Sequence, residues 1–442
     1  MGSGFAFMAR RFYTALFYLA LPLVVARLWW RGRRAPAYRQ RIAERFGRFE
    51  QHVAHGGIWV HAVSVGEVIA AAPLVRALQQ RHPAIGITVT TMTPTGSERV
   101  RALFGNAVCH VYAPYDLPCS IARFLHRVQP RLLIVIETEL WPNTIHACAA
   151  RGIPVLLANA RLSEKSARGY RRFGAVTAPM LRALSKVVAQ HADDGRRFVE
   201  LGLTPQKLAI SGSIKFDIAL DAELLARAAR TRSEWRGAGR FIWIAASTHA
   251  GEDEVVLQAH RLLRARISDA LLILVPRHPE RFNDAAALVA GHGLGLVRRS
   301  VTRRVPGDIA VLLGDTMGEL LFLYGCVDCA FVGGSLVARG GHNMLEPAAW
   351  GLPILTGPSD FNFREISALL QREQALIVID DAQALAQQLI QLASDTTQRQ
   401  RRGAAASRVV ADNRGALVKL LGEVEPFVPA AGHTDGWPAQ SA

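Results

Sequence analysis

The feature that most constrains this 442-residue chain is a rhythm: short apolar or β-branched runs alternate with longer helix-patterned segments. That alternation predicts parallel sheets covered by helices on both faces. Strands are expected near Gly57–Val63, Ile85–Thr91, Ala107–Tyr112, Arg131–Ile136, Val155–Ala160 and Lys186–Ala189. A second series is expected near Phe241–Ala246, Leu271–Val275, Ile309–Leu312, Cys329–Val332, Pro353–Leu355 and Leu376–Ile379. Between the two series, a polar, Ala- and Arg-rich stretch over 221–240 is the best candidate boundary. A chain of this length exceeds what one core usually supports. The expected division is an N-terminal anchor over 1–34, an α/β domain over 35–230, a second over 240–432, and a disordered Gly-, Pro- and polar-rich tail over 433–442.

The N-terminal segment is apolar from Phe12 to Ala26 and then reads Arg27-Leu28-Trp29-Trp30. It is short of the ~20 apolar residues of a full span, so crossing the bilayer and lying in its interface both stay open. No small-residue cleavage site is evident, which predicts an uncleaved anchor. Arginines crowd after it (Arg31, Arg33, Arg34, Arg39, Arg41, Arg45, Arg48), placing the body of the protein on the cytoplasmic side with Trp29 and Trp30 at the headgroups.

A formal charge of +16 calls for an anionic partner. The arginines are dispersed and form no stripe interleaved with aromatics, so nucleic acid is not expected. Five scattered cysteines exclude a disulfide scaffold and fit a reducing compartment. Cys326 and Cys329 form a CxxC without a second ligand pair, and their apolar setting reads as a buried helix-to-strand passage.

Chemistry concentrates where strands end. Ser64-Val65-Gly66-Glu67 follows the first strand; Ser64 and Gly66 suit a tight turn, and Glu67 is placed to act as a base or to cap the helix. Glu137 and Glu139 follow the fourth strand beside Trp141-Pro142, which suits either sugar binding or a capped turn. Arg161 and Lys215 place cations at later strand ends, fit for a carboxylate or phosphate. In the second half, Pro276-Arg277 follows a strand and Met317-Gly318-Glu319 is expected to open a helix with free amides. A glycine-rich loop from Gly333 to Gly341 then leads into Asn343-Met344-Leu345-Glu346, where the backbone has room for a phosphate and Glu346 suits ribose hydroxyls. No Walker A loop and no GxGxxG is present, which disfavours ATP hydrolysis and dinucleotide binding.

Taken in order, Ser64-Val65-Gly66-Glu67, Glu137-Thr138-Glu139-Leu140-Trp141-Pro142-Asn143, Asn159-Ala160-Arg161-Leu162-Ser163, Pro276-Arg277-His278-Pro279, Met317-Gly318-Glu319 and Asn343-Met344-Leu345-Glu346 resemble one family, the 3-deoxy-D-manno-octulosonic acid (Kdo) transferases of lipopolysaccharide synthesis. The resemblance covers nearly the whole chain. It implies a GT-B glycosyltransferase fold, two doubly wound Rossmann-like domains facing across a cleft, and inverting transfer of Kdo from CMP-Kdo to a lipid A precursor at the inner membrane. It further implies Glu67 as proton acceptor, and CMP held by Pro276, Arg277, Met317, Gly318, Glu319, Asn343, Met344, Leu345 and Glu346, with no metal and no cofactor. Ser64, Gly66, Glu137, Glu139, Arg161 and Lys215 remain as substrate-binding candidates. The competing expectations are another two-domain sugar-nucleotide enzyme, such as a UDP-sugar epimerase, and a non-catalytic basic membrane protein.

Overall fold

The computed structural model describes residues 2–429 other than Arg34, His52, Ala54 and Ala238, so the expected tail over 433–442 lies outside the described residues. The chain forms two compact units, 1–217 with 414–442, and 218–413. In the first unit, β1 (Ile58–His61), β2 (Ile87–Thr91), β3 (Cys109–Tyr112), β4 (Leu132–Ile136), β5 (Val155–Ala160), β6 (Lys186–Ala189) and β7 (Leu208–Ile210) form one parallel sheet in the order β3-β2-β1-β4-β5-β6-β7. Alternate residues of β4 feed two cores: Leu133 and Val135 face one, and Leu132, Ile134 and Ile136 the other. Each such side chain contributes roughly 1.5–3 kcal/mol by leaving water, which explains why the central strands read as unbroken apolar runs.

The second unit repeats the plan. Strands β8 (Ile242–Thr248), β9 (Leu271–Pro276), β10 (Leu296–Arg298), β11 (Val311–Leu313), β12 (Cys329–Val332), β13 (Ile354–Thr356) and β14 (Leu376–Val378) run parallel in the order β10-β11-β9-β8-β12-β13-β14. In both sheets the chain starts in the middle, winds outward, and returns to the other side of its first strand. The strand order therefore reverses between β1 and β4, and again between β8 and β12. Open sheets bind ligands beyond the carboxyl ends of the strands at such a reversal.

The units divide the chain differently from the expected 35–230 and 240–432. The Ala- and Arg-rich stretch is no linker but a helix, Ala222–Arg236, capped by Asp221, whose side chain accepts from Leu224 N at 2.8 Å. Its Ala228 and Trp235 sit seven residues apart, on one face, and enter the core of the second unit. Arg232 and Arg236 reach the buried Asp328 carboxylate at 2.7 and 3.2 Å. At the other end, helix Ala416–Val424 belongs to the first unit: Ala416, Leu420, Leu421 and Val424 pack in the same core as Val68, Ala71 and Val75. Asp217 fixes the start of this helix by accepting from Gly415 N and Leu417 N, both at 2.7 Å.

Cys326 and Cys329 are buried between helix Leu320–Tyr324 and β12, as the helix-to-strand reading expected. The N-terminal helix runs Gly2–Arg31, and Gly4–Arg31 is long and apolar enough to cross a membrane by length and composition. The arginines after it are not all free surface charge. Arg45 is 1% exposed, stacks over Tyr112 and donates to Met92 O at 3.0 Å, and Arg41 pairs with Glu44 at 2.6 Å.

Candidate active site

At the reversal of the first sheet, β1 ends at His61 and helix Val65–Arg81 begins. Ser64 is extended (φ −113°, ψ 169°) and caps that helix, its Oγ accepting from Glu67 N at 3.3 Å. The same hydroxyl donates to Glu67 Oε1 at 2.8 Å, while Val63 N donates to Oε2 at 2.7 Å. The cap residue Ser64 thus fixes one carboxylate oxygen and the backbone of Val63 the other. Glu67 is 8% exposed. Burial pushes its carboxyl up to about 7, against the lowering effect of the Ser64 and Val63 hydrogen bonds, and the nearby Glu139 and Glu137 charges push the same way. Gly66 makes no tight turn; it is an exposed residue of the first helical turn, where an added Cβ would meet only Ser64 Oγ, at 3.8 Å.

Across the reversal, the end of β4 supplies the other two carboxylates. Glu137 adopts a left-handed backbone (φ 61°) and pairs with Lys215 at 2.8 Å. Glu139 accepts from Trp141 Nε1 at 3.2 Å, and burial, aided by Glu137, raises its carboxyl above the ordinary range. Trp141 packs edge-on against His61, with ring centroids 6.4 Å apart. Arg161 joins through its backbone, its carbonyl accepting from the Thr138 hydroxyl at 2.6 Å.

Lys215 is placed by Asn159, which the sequence motif contains without a role of its own, and by Gln190. Asn159, left-handed at φ 52°, accepts from Ile214 N through its side chain at 3.2 Å and from Gln190 Nε2 through its carbonyl at 2.9 Å. The short turn Ile214–Phe216 that carries Lys215 is thereby tied to the end of β5.

At the reversal of the second sheet, the largest omission from the sequence reading is Glu252, fully buried at the start of helix Glu252–Arg264. Its carboxylate accepts four backbone amides: His249 N at 2.9 Å, Gly334 N at 2.7 Å, and Ser335 N and Leu336 N at 2.9 Å each. The glycine-rich loop was expected to let the backbone approach a phosphate; three of its amides are held instead by a protein carboxylate. Gly334 is needed both for its left-handed backbone (φ 71°) and because a Cβ would come within 2.9 Å of the His342 ring.

Beside this loop stand three histidines and Arg277. His249 and His342 stack with centroids 5.2 Å apart and Nε2 atoms 2.9 Å apart, and His278 stands edge-on to His249 at 5.4 Å. Arg277, tied by its backbone N to Thr248 O at 2.9 Å, lies close enough for its charge to act on both stacked rings. Burial, reinforced by Arg277, pushes His342 down to about 4 and lowers His249.

The remaining predicted residues are placed as follows. Pro276 ends β9, buried. Met317 is exposed, and Gly318 turns the chain at φ 82°. Glu319 accepts two hydrogen bonds from Arg299 at 3.0 Å and one from Thr316 at 2.7 Å. Burial alone would raise its carboxyl, but these bonds and the Arg299 charge outweigh it and hold the group below its ordinary range. The expected helix with free amides is only Leu320–Tyr324, five residues. Asn343 accepts from Leu345 N and donates to Glu346 Oε1, both at 3.1 Å. Glu346 is the second residue of helix Leu345–Ala349. Met344 and Leu345 are each 1% exposed, so their side chains offer no surface to a ligand. The two short helices pack together through Trp350 Nε1, which donates to Leu321 O at 2.8 Å.

Comparison with known proteins supplies the family. Residues 40–218 match the family profile of 3-deoxy-D-manno-octulosonic-acid transferase (kdotransferase), and residues 240–409 that of glycosyl transferases group 1. The chain is 47% identical to the 3-deoxy-D-manno-octulosonic acid transferase of Haemophilus influenzae over 424 residues, which is 95% of this chain and 99% of that protein. The chain belongs to the 3-deoxy-D-manno-octulosonic acid transferase family. Within that family the Bordetella pertussis transferase is 37% identical, over 95% of this chain and the whole of its own length. A solved UDP-GlcNAc 2-epimerase from Neisseria meningitidis shares the fold at a TM-score of 0.54, covering 84% of this chain and 100% of its own, with 12% identity. At that identity it speaks for the fold alone. Family membership and the two doubly wound units make this a glycosyltransferase of the GT-B fold.

Proposed function

We propose that the chain transfers Kdo from CMP-Kdo to a lipid A precursor with inversion at the anomeric carbon, Glu67 acting as the general base. The observation that carries this reading is the state of Glu67: buried at the sheet reversal, both oxygens fixed, and its carboxyl near 7. A base works best when its pKa lies near the operating pH, because it is then both ionised and basic enough to take the proton. Glu67 takes the proton of the attacking acceptor hydroxyl as CMP departs from the anomeric carbon. The ion pair of Lys215 with Glu137 keeps the local charge from turning wholly negative around that step.

CMP-Kdo is assigned to the second unit, at Pro276 and Arg277, Met317 to Glu319, and Asn343 to Glu346. With the loop amides bound to Glu252, charge on the leaving phosphate falls to Arg277 and to the one N–H that the mutually hydrogen-bonded, neutral His249 and His342 leave free. The first unit is assigned the lipid acceptor. The apolar N-terminal helix attaches the protein to the inner membrane, with both units on the cytoplasmic side. No step requires a metal or cofactor.

The test is transfer of labelled Kdo from CMP-Kdo to a tetra-acylated lipid A precursor by wild type, Glu67→Ala and Glu67→Gln. Loss of about 10²–10⁴ in rate, with stabilisation by CMP retained, supports the assignment. Full activity of Glu67→Ala removes Glu67 from its role, and stabilisation by UDP in preference to CMP contradicts the donor.

A further inference from the structure

We propose that helix Gly2–Arg31 lies in the plane of an anionic membrane surface, docked side-on against the first unit, instead of crossing the bilayer. This inference rests on the membrane attachment proposed above and concerns its geometry. Residues 10–18 of the helix are tied to the first unit by polar contacts. Tyr13 donates to Asp116 Oδ2 at 3.0 Å, Asn143 Nδ2 donates to Thr14 Oγ1 at 3.0 Å, and Arg10 donates to Asn143 Oδ1 at 3.4 Å. Tyr18 OH lies 3.3 Å from Cys119 Sγ, and Phe17 packs on Tyr115 with centroids 6.4 Å apart.

The partner of Tyr13 is part of the fold. Asp116 is fully buried and also accepts from Asn143 N at 3.0 Å and from Thr144 N and Oγ1 at 2.8 and 2.7 Å, holding the start of helix Pro142–Ala149. A crossing helix with this seam intact would carry Asp116 and Asn143 into hydrocarbon, where polar and ionisable groups are costly. Only Leu19–Arg31 remains beyond the seam. Thirteen residues span about 20 Å at 1.5 Å each, against a hydrocarbon thickness of about 30 Å.

The opposite face fits a membrane surface. Phe5, Met8, Phe12, Leu16, Leu19 and Leu23 recur at helical spacing and are 50–75% exposed. The helix contains no acidic residue and carries Arg10, Arg11, Arg27 and Arg31, with Trp29 and Trp30 exposed at its end. An apolar stripe with basic flanks and terminal tryptophans is complementary to anionic headgroups over an acyl boundary.

The experiment binds full-length protein from outside to sealed phosphatidylethanolamine/phosphatidylglycerol vesicles. Spin labels are placed at Phe5→Cys, Phe12→Cys and Leu23→Cys, each singly, with the exposed Cys119 replaced by serine. The proposal expects all three labels at one shallow depth, Arg11→Cys open to an impermeant thiol reagent added outside, and a Thr14→Cys/Asn143→Cys pair that cross-links on the vesicles. Phe12→Ser with Leu19→Ser should lower vesicle partitioning at least about a hundredfold. Labels that pass through the midplane, with Arg11→Cys shielded until detergent is added and no cross-link, overturn it. Protein that fails to float with the vesicles sinks the membrane attachment itself, a result distinct from floating with a crossing profile.

Discussion

The buried carboxyl of Glu67 links stability to pH in a way that can be measured without substrate. Its carboxyl titrates near 7 when folded, against an ordinary value of 4.5. Below pH 4.5 both folded and unfolded states are protonated, and the group contributes no difference. Between 4.5 and 7 the unfolded chain releases its proton while the folded protein keeps it, so stability falls as pH rises. Above 7 both are ionised and the loss is complete, at about 3 kcal/mol given ~1.4 kcal/mol per pH unit. Glu67→Gln removes this dependence, since the amide never ionises. Its lost hydrogen bonds also have an energetic cost, but that cost is the same at every pH and cancels in a difference. The stability of Glu67→Gln relative to wild type should therefore improve by about 2–3 kcal/mol between pH 5 and pH 8, read from urea unfolding of the first unit at the two pH values. Relief of the neighbouring Glu139 acts in the same direction. The matching kinetic signature is a rising limb of kcat/KM centred near pH 7 in wild type. A change below about 0.5 kcal/mol, or a limb centred near 4.5, would show that Glu67 ionises as an ordinary exposed carboxylate and refute the reasoning.

Three further outcomes are expected. Lys215→Met strips the cation from Glu137 and leaves Glu67 among uncompensated carboxylates, so the rising limb should move to higher pH while stabilisation by CMP is unchanged. Glu252→Gln leaves two of the four bound amides without an acceptor and should cost about 3–5 kcal/mol in the second unit, with CMP affinity falling in calorimetry as the loop loosens. Gly357→Ala drives a Cβ into the backbone of Ser335 and Leu336 and should cost about 2 kcal/mol or more in thermal unfolding.

Much of the fold was legible because parallel strands buried on both faces must be apolar on both faces. Twelve of the strands stand where the runs Gly57–Val63 to Leu376–Ile379 placed them. The two that escaped notice, Leu208–Ile210 and Leu296–Arg298, are three-residue edge strands covered only in part, so their sequences carry no unbroken run. Glu67, Glu137 and Glu139 were legible because a carboxylate just past a strand already stands at the ligand end of the sheet. Glu252 was not: its role depends on Gly334 to Leu336, some eighty residues later in the chain, being folded back onto it. The helix Ala222–Arg236 was misjudged because two arginines that bind a buried aspartate are indistinguishable, in composition, from two arginines in water.

The return of helix Ala416–Val424 to the first unit bears on how the protein is born. The ribosome makes β1 to β7 and the Glu67 helix first, but one wall of the core behind that helix emerges only after the whole second unit has been synthesised. Until then, Val68, Ala71 and Val75 have an uncovered neighbour position, and the Glu67 helix rests on an unfinished support. The second unit, continuous in the chain, can complete its own fold earlier. The core behind the Glu67 helix is therefore completed late in translation, and a chain cut after Asn413 should leave that helix poorly held.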